Sequence, residues 1–171
     1  MKALFFIWPL LFSCTAQKEP PLDEEIIISR LVGENGAKKW SFVKSQDLQN
    51  PEADKKRPKK CQLDDEVEYM EEGFVAYRVN TKCYQYEQDQ AIRWRLKEIA
   101  GKFYIDFYIS KFISTEFESR ALVEKITFNE LVLKYLKNEE IKTEDKKGNW
   151  YTQKIAIPND FDYTMEFKSS K

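Results

Sequence analysis

The side chains best equipped for covalent chemistry in this 171-residue chain are three cysteines, Cys14, Cys61 and Cys83, and they stand without a single histidine. The missing imidazole removes the commonest general base, the commonest metal ligand and every His-dependent triad. Serine and threonine hydroxyls are left without that base, and no G-x-S-x-G elbow occurs. Carboxylates remain, most tightly grouped at Asp64-Asp65-Glu66 and Asp160-Phe161-Asp162. Neither group has the Gly-turned ligand spacing of a calcium loop, and glycoside hydrolysis by paired carboxylates depends on a separation in space that sequence does not set. With 28 Lys and Arg against 29 Asp and Glu there is no general electrostatic pull toward nucleic acid, and 5 glycines leave little for a phosphate cradle. The chain reads as a binder without cofactor or metal, not as an enzyme.

The three cysteines sit in different surroundings. Cys14 follows Met1-Lys2 and the stretch from Ala3 to Phe12, apolar except for Pro9. About ten residues is too short for a membrane span, which needs roughly 20, and suits a signal peptide. Leu11-Phe12-Ser13-Cys14 resembles the bacterial lipobox, with an aliphatic residue at −3, a small one at −1 and a Cys that is acylated, although Phe12 is bulkier than the pattern favours. The alternative is an ordinary signal peptide with an incidental Cys14. Acylation, by palmitate or a similar chain, would anchor a soluble domain to an envelope membrane, the outer membrane being the expected one. Residues 1–13 are then leader and residues 14–22, containing Pro20-Pro21, a tether.

Export implies an oxidising compartment, in which Cys61 and Cys83 can pair. Between them, Glu66 to Met70 and Phe74 to Val79 alternate like two strands around Glu71-Glu72-Gly73, a loop whose last residue suits the left-handed position of a G1 bulge. If Met70 faces Phe74, the same register sets Tyr69 opposite Val75, Val67 opposite Tyr77 and Cys61 opposite Cys83, at a spacing a disulfide spans. Two free thiols or a soft metal site are the alternatives.

The pairing extends along the chain. Ile92, Trp94 and Leu96 alternate with Arg93, Arg95 and Lys97, and a two-residue turn at Ala100-Gly101 sets them against Ile109, Phe107 and Ile105. A third turn at Asn129-Glu130 would set Ile126 and Phe128 against Leu133 and Leu131. Eight strands result: Lys39 to Lys44, Cys61 to Met70, Phe74 to Cys83, Gln90 to Ile99, Lys102 to Lys111, Arg120 to Phe128, Leu131 to Lys137 and Asn149 to Pro158. Ahead of them Asp23 can cap a short helix carrying Ile27, Ile28, Leu31 and Val32, ended by Gly33. The expected fold is all-β, an eight-stranded antiparallel up-and-down barrel with a short N-terminal helix plugging one end, over residues 23–158. A two-sheet sandwich would use the same strands. Residues 159–171 are read as a C-terminal tail, loose or adding a short strand.

Leu31-Val32-Gly33, Lys39-Trp40, a long loop into Cys61-Gln62-Leu63-Asp64-Asp65, Tyr69, Gly73, Cys83 and the Trp94 strand together resemble the lipocalin-like, calycin-type lipoproteins of bacteria over about residues 26–158. The resemblance implies a barrel with a lumen open at one end and no catalytic residues to carry over. Here Gly36 precedes Trp40 by four positions, where the wider lipocalin group has Gly two before Trp.

Lumen candidates are Trp40, Tyr69, Tyr77, Trp94, Phe107 and Tyr135. The tryptophans either line a ligand or fill the barrel; the tyrosines either orient a polar ligand group or bond to backbone. The basic run Asp54 to Lys60 falls in the long first loop, either recognising an anionic group or lying solvated. The expected protein is a monomeric, lipid-anchored envelope lipoprotein holding a small, largely apolar or amphipathic ligand. The alternative is a scaffold with a solid barrel core.

Overall fold

The structure is a computed structural model and describes residues 21–50, 61, 64–83, 85, 88–111, 114–144 and 146–170. Cys14, the leader and the basic run Asp54 to Lys60 lie outside the described residues. One helix, α1 (Glu24–Val32), precedes eight strands: β1 (Ala37–Asp47), β2 (Glu66–Met70), β3 (Phe74–Arg78), β4 (Gln90–Ile99), β5 (Lys102–Lys111), β6 (Ser114–Ile126), β7 (Glu130–Glu144) and β8 (Trp150–Ser169). Each strand pairs antiparallel with the next and β8 returns to β1, so the sheet is a closed barrel and the expected architecture holds. Closure matters because a sheet edge left open is a template for association.

The first two hairpins form in the expected register. Met70 faces Phe74 and Val67 faces Tyr77; Gly73 takes φ 81°, donates from its N–H to the Met70 carbonyl at 3.0 Å, and accepts from the Trp94 N–H at 2.9 Å. A side chain at Gly73 would also crowd the Trp94 carbonyl. Trp94 faces Phe107 and Leu96 faces Ile105 across a turn in which Ala100 and Gly101 both have positive φ, as a two-residue hairpin turn requires. Cys61 and Cys83 are disulfide-bonded with Cα atoms 5.5 Å apart. β2 and β3 are nonetheless shorter than their patterns, because the ladder gives way to a turn in which the Asp64 carboxylate accepts from the hydroxyl and N–H of Thr81.

Two expectations need correction. At the third hairpin, Ile126 meets Leu131 and Val123 meets Leu133. The turn falls one position earlier, at Phe128-Asn129, and Thr127 closes it, its hydroxyl accepting from the Asn129 and Glu130 N–H groups and its own N–H donating to the Glu130 carbonyl. Phe128 is thereby left exposed at the tip. The last strand does not stop at Pro158. It runs to Ser169, and the residues read as a tail supply the half that pairs with β1, from Phe42 with Phe167 to Asp47 with Tyr163. Around Pro158, β8 bulges, with Asn159 at φ 62°. Beyond the bulge Asn138 to Glu144 pair only with Ala156 to Trp150, forming a two-stranded arm that carries exposed Ile141, Trp150, Tyr151 and Ile155.

α1 seals one end. The Asp23 carboxylate accepts from the Ile26 N–H at 2.7 Å, and Ile27, Leu31 and Val32 are buried against the inward residues of the barrel. A helix end buried this way leaves carbonyls that need donors. The indole N–H of Trp40 donates to the Leu31 carbonyl at 3.0 Å, and the Lys38 ammonium donates to the Arg30 and Phe128 carbonyls at 3.1 and 2.6 Å while lying 4.1 Å from the centre of the Trp40 ring. Arg30, itself buried, donates to the Ile126 carbonyl at 2.8 Å, tying the helix to β6.

Outside the barrel, Asp106 on β5 is 1% exposed yet ionically satisfied. It accepts from Arg120 Nε and Nη2 at 2.5 and 2.9 Å, from Lys97 Nζ at 2.9 Å and from the Tyr108 hydroxyl at 3.1 Å. Burial pushes its carboxyl up, but the Arg120 and Lys97 contacts outweigh that and hold it below the usual carboxylate value. A depressed value contributes stability that is present above the unfolded carboxylate's titration and lost as pH falls through the folded one. Asp106→Asn should cost about 1–3 kcal/mol at neutral pH and flatten the acid limb of the stability profile. Urea unfolding of both proteins from neutral pH down to about pH 3 checks this, and parallel acid limbs would refute it.

Candidate functional site

At the end of the lumen opposite α1 lies a cavity of about 490 Å³. Its wall is laid down by the outward run of the strands. Tyr77 from β3, Ile92 from β4, Ile109 from β5, Tyr135 from β7 and Tyr163 and Met165 from β8 alternate inward above the floor. Its mouth is polar: Gln90, Glu118 and Ser119 come from β4 and β6, and Asn138, Glu140 and Lys154 from the base of the arm. β6 bulges where Phe107 and Tyr108 pair with Ser119 and Phe117, which gives Glu118 its place at the rim.

The six lumen candidates divide into two layers. Trp40 is fully buried and spends its N–H on the helix, so it fills the floor. Trp94 shares its N–H between the Met70 and Phe74 carbonyls at 3.2 and 3.0 Å, and packs edge-on to Tyr69 with ring centres 5.7 Å apart. Tyr69 and Phe107 are buried below the cavity, and Phe107 stacks on Tyr135 at 5.8 Å. Tyr77 and Tyr135 are the two of the six that line the cavity. Tyr163, which the sequence reading assigned to the tail, joins them, stacked on Tyr135 with ring centres 4.6 Å apart and planes 14° apart.

The phenols form an electrostatic group. Tyr77 and Tyr135 lie close enough for their hydroxyls to influence each other's ionisation. Burial pushes the hydroxyl pKa values of Tyr69, Tyr77 and Tyr135 well up, and neighbouring phenols add to the effect. Tyr163 is pushed up to about 12 by burial and by the carboxylates of Asp162 and Glu118. At physiological pH the group is a neutral set of donors and acceptors.

The mouth contains one unmet hydrogen-bonding demand. The Asn138 amide nitrogen donates to the Glu118 carbonyl at 2.8 Å, and the buried amide oxygen has no partner among the described residues. A buried acceptor in that state costs about 1–3 kcal/mol. Lys154 pairs with Glu118 at 3.4 Å. Elsewhere, a hollow of about 510 Å³ beneath the outer side of α1 is flanked by Glu24, Glu25, Glu34 and Glu71, outside the barrel wall.

The polar mouth was not predicted from the sequence. Asn138 and Glu140 lie beyond the strand end at Lys137 that alternation gives, Lys154 falls inside the last predicted strand, and their convergence depends on the β8 bulge. The Pro158-Asn159 pair inside an otherwise strand-like stretch is the local signal for that bulge. No family model matches the chain, and neither a curated protein nor a solved structure does.

Raised phenol values mean that the folded state favours the neutral form, so this contribution is intact below the ordinary tyrosine value of about 10 and is lost as pH climbs toward the folded values. Of the 9 tyrosines, the four around the lumen should stay protonated at about pH 11 in the native protein and ionise together with unfolding. Phenolate absorbance and circular dichroism followed in one alkaline titration test this. Reversible ionisation of all nine near pH 10 without unfolding would sink it.

Proposed function

We propose that the protein is a monomeric, membrane-anchored envelope lipoprotein whose lipocalin-like barrel holds a small, largely apolar ligand in its lumen, without catalysis. The observation that carries this reading is the cavity of about 490 Å³ above a sealed floor. That volume falls within the roughly 300–1,000 Å³ typical of small-molecule sites, and Ile92, Ile109, Met165 and three tyrosine rings below a polar mouth suit a ligand with an apolar body and a polar head. A barrel serving only as a scaffold has no use for such a space. Phenols kept neutral by burial suit ligand hydrogen bonding rather than nucleophilic attack. The Cys61–Cys83 disulfide suits an exported chain, and Cys14 in its lipobox-like setting supplies the anchor.

Native mass spectrometry of protein purified from its host, together with tryptophan quenching by a panel of lipids, is expected to show a bound apolar ligand. Ile92→Trp, which places an indole in the cavity, should weaken that binding at least tenfold with the circular dichroism spectrum unchanged. A lumen that stays empty against every ligand shifts the weight to a non-catalytic scaffold contacting another envelope protein, with the exposed Trp150 and Tyr151 of the arm as the contact. For the anchor, a radioactive fatty acid should label the wild type and not Cys14→Ala, and a variant that still takes up label refutes Cys14 as the acylated residue.

A further inference from the structure

Resting on the lumen reading above, the geometry points to a ligand headed by a protonated primary amine, with the ammonium at the mouth between Asn138 and Glu140 and the apolar body descending toward Ile92, Ile109 and Met165. The amide nitrogen of Asn138 is committed to the Glu118 carbonyl, which fixes the orientation of the group. Its oxygen is buried, with no donor among the described residues. The group that meets it must therefore bring an N–H or O–H, and a carboxylate head has neither.

Charge narrows the choice further. The residues lining the cavity include two carboxylates, Glu118 and Glu140, against one cation, Lys154. Lys154 is engaged by Glu118 at 3.4 Å, and Glu140, directly across the ladder from Lys154, has no carboxylate–cation pair of its own among the described residues. An anionic head would meet a net negative rim, whereas a cation is drawn to it. An ammonium carries three N–H donors, enough for the Asn138 oxygen, the Glu140 carboxylate and one tyrosine oxygen. A quaternary ammonium would satisfy the charge and leave Asn138 unmet.

The experiment is isothermal titration calorimetry of the full-length protein at neutral pH with three probes of similar shape: 2-phenylethylamine, 2-phenylethanol and 3-phenylpropionate. The amine is expected to bind at least tenfold more tightly than the alcohol, and the carboxylate most weakly. Glu140→Gln, an exposed position, should bring the amine to within about threefold of the alcohol, by weakening the amine several times more than the alcohol. An alcohol or carboxylate that binds as tightly as the amine overturns the amine assignment and leaves the lumen reading standing. So does a failure of all three probes in a protein that binds lipids in the quenching assay. Failure of the probes and of every lipid overturns both readings. An amine preference that survives Glu140→Gln overturns the role given to that carboxylate.

Discussion

Burying the C-terminal end of a nine-residue helix inside a barrel is tolerable only if its free carbonyls find donors, and the rest of this molecule is arranged around that requirement. Two neighbouring side chains of β1 satisfy it. Trp40 reaches the Leu31 carbonyl from inside the wall, and Lys38 reaches the Arg30 carbonyl from the rim. Lys38 is partly desolvated in doing so, which lowers its pKa, and the Trp40 ring beneath it offers partial compensation. With Arg30 donating to β6, the plug is fastened on both sides of the barrel. The floor is closed, and whatever space the eight strands enclose opens only at the far end.

From that floor the lumen grades from dry to wet. Trp40, Ile27 and Leu31 occupy the bottom; Tyr69, Trp94 and Phe107 form the next layer, with each indole N–H and each ring edge already occupied. Tyr77, Tyr135 and Tyr163 follow, apolar in their rings and polar at their tips. Among the residues lining the cavity, the charged side chains are Glu118, Glu140 and Lys154 at the rim. The gradient explains why the aromatic residues that looked most like ligand contacts turn out to differ in role. A tryptophan whose N–H is taken by backbone is a wall, whereas Tyr77, Tyr135 and Tyr163 line the cavity itself.

The fold was legible in the sequence wherever a tight turn and strict alternation agreed. Gly73 and Ala100-Gly101 fixed two hairpins to the residue, and the first of them carried the Cys61–Cys83 pairing with it. Legibility failed where the ladder is irregular. The turn at Thr127 depends on a side-chain hydroxyl and shifts the pairing by two residues; the bulges in β6 and β8 break the alternation on which the reading of inward and outward faces rests. The candidate site sits on those irregular stretches, so its walls could be anticipated and its mouth could not. Asp106 was opaque for a different reason. A carboxylate at an outward position reads as solvated, and only the neighbouring strands reveal the Arg120 and Lys97 that bury it.

The seam between β1 and β8 also bears on how the chain acquires its shape. Ser41 and Ser170 hydrogen-bond across it at a sequence separation of 129 residues, whereas every other strand pair joins neighbours in the chain. Local hairpins can form early, but this last pairing must overcome the largest loop-closure entropy and rewards the chain only at the end. Until it forms, β1 and β8 are unprotected edges flanking an incomplete, aromatic-rich interior. The pairing with the largest sequence separation is therefore also the one whose delay leaves the sheet most open to misassociation.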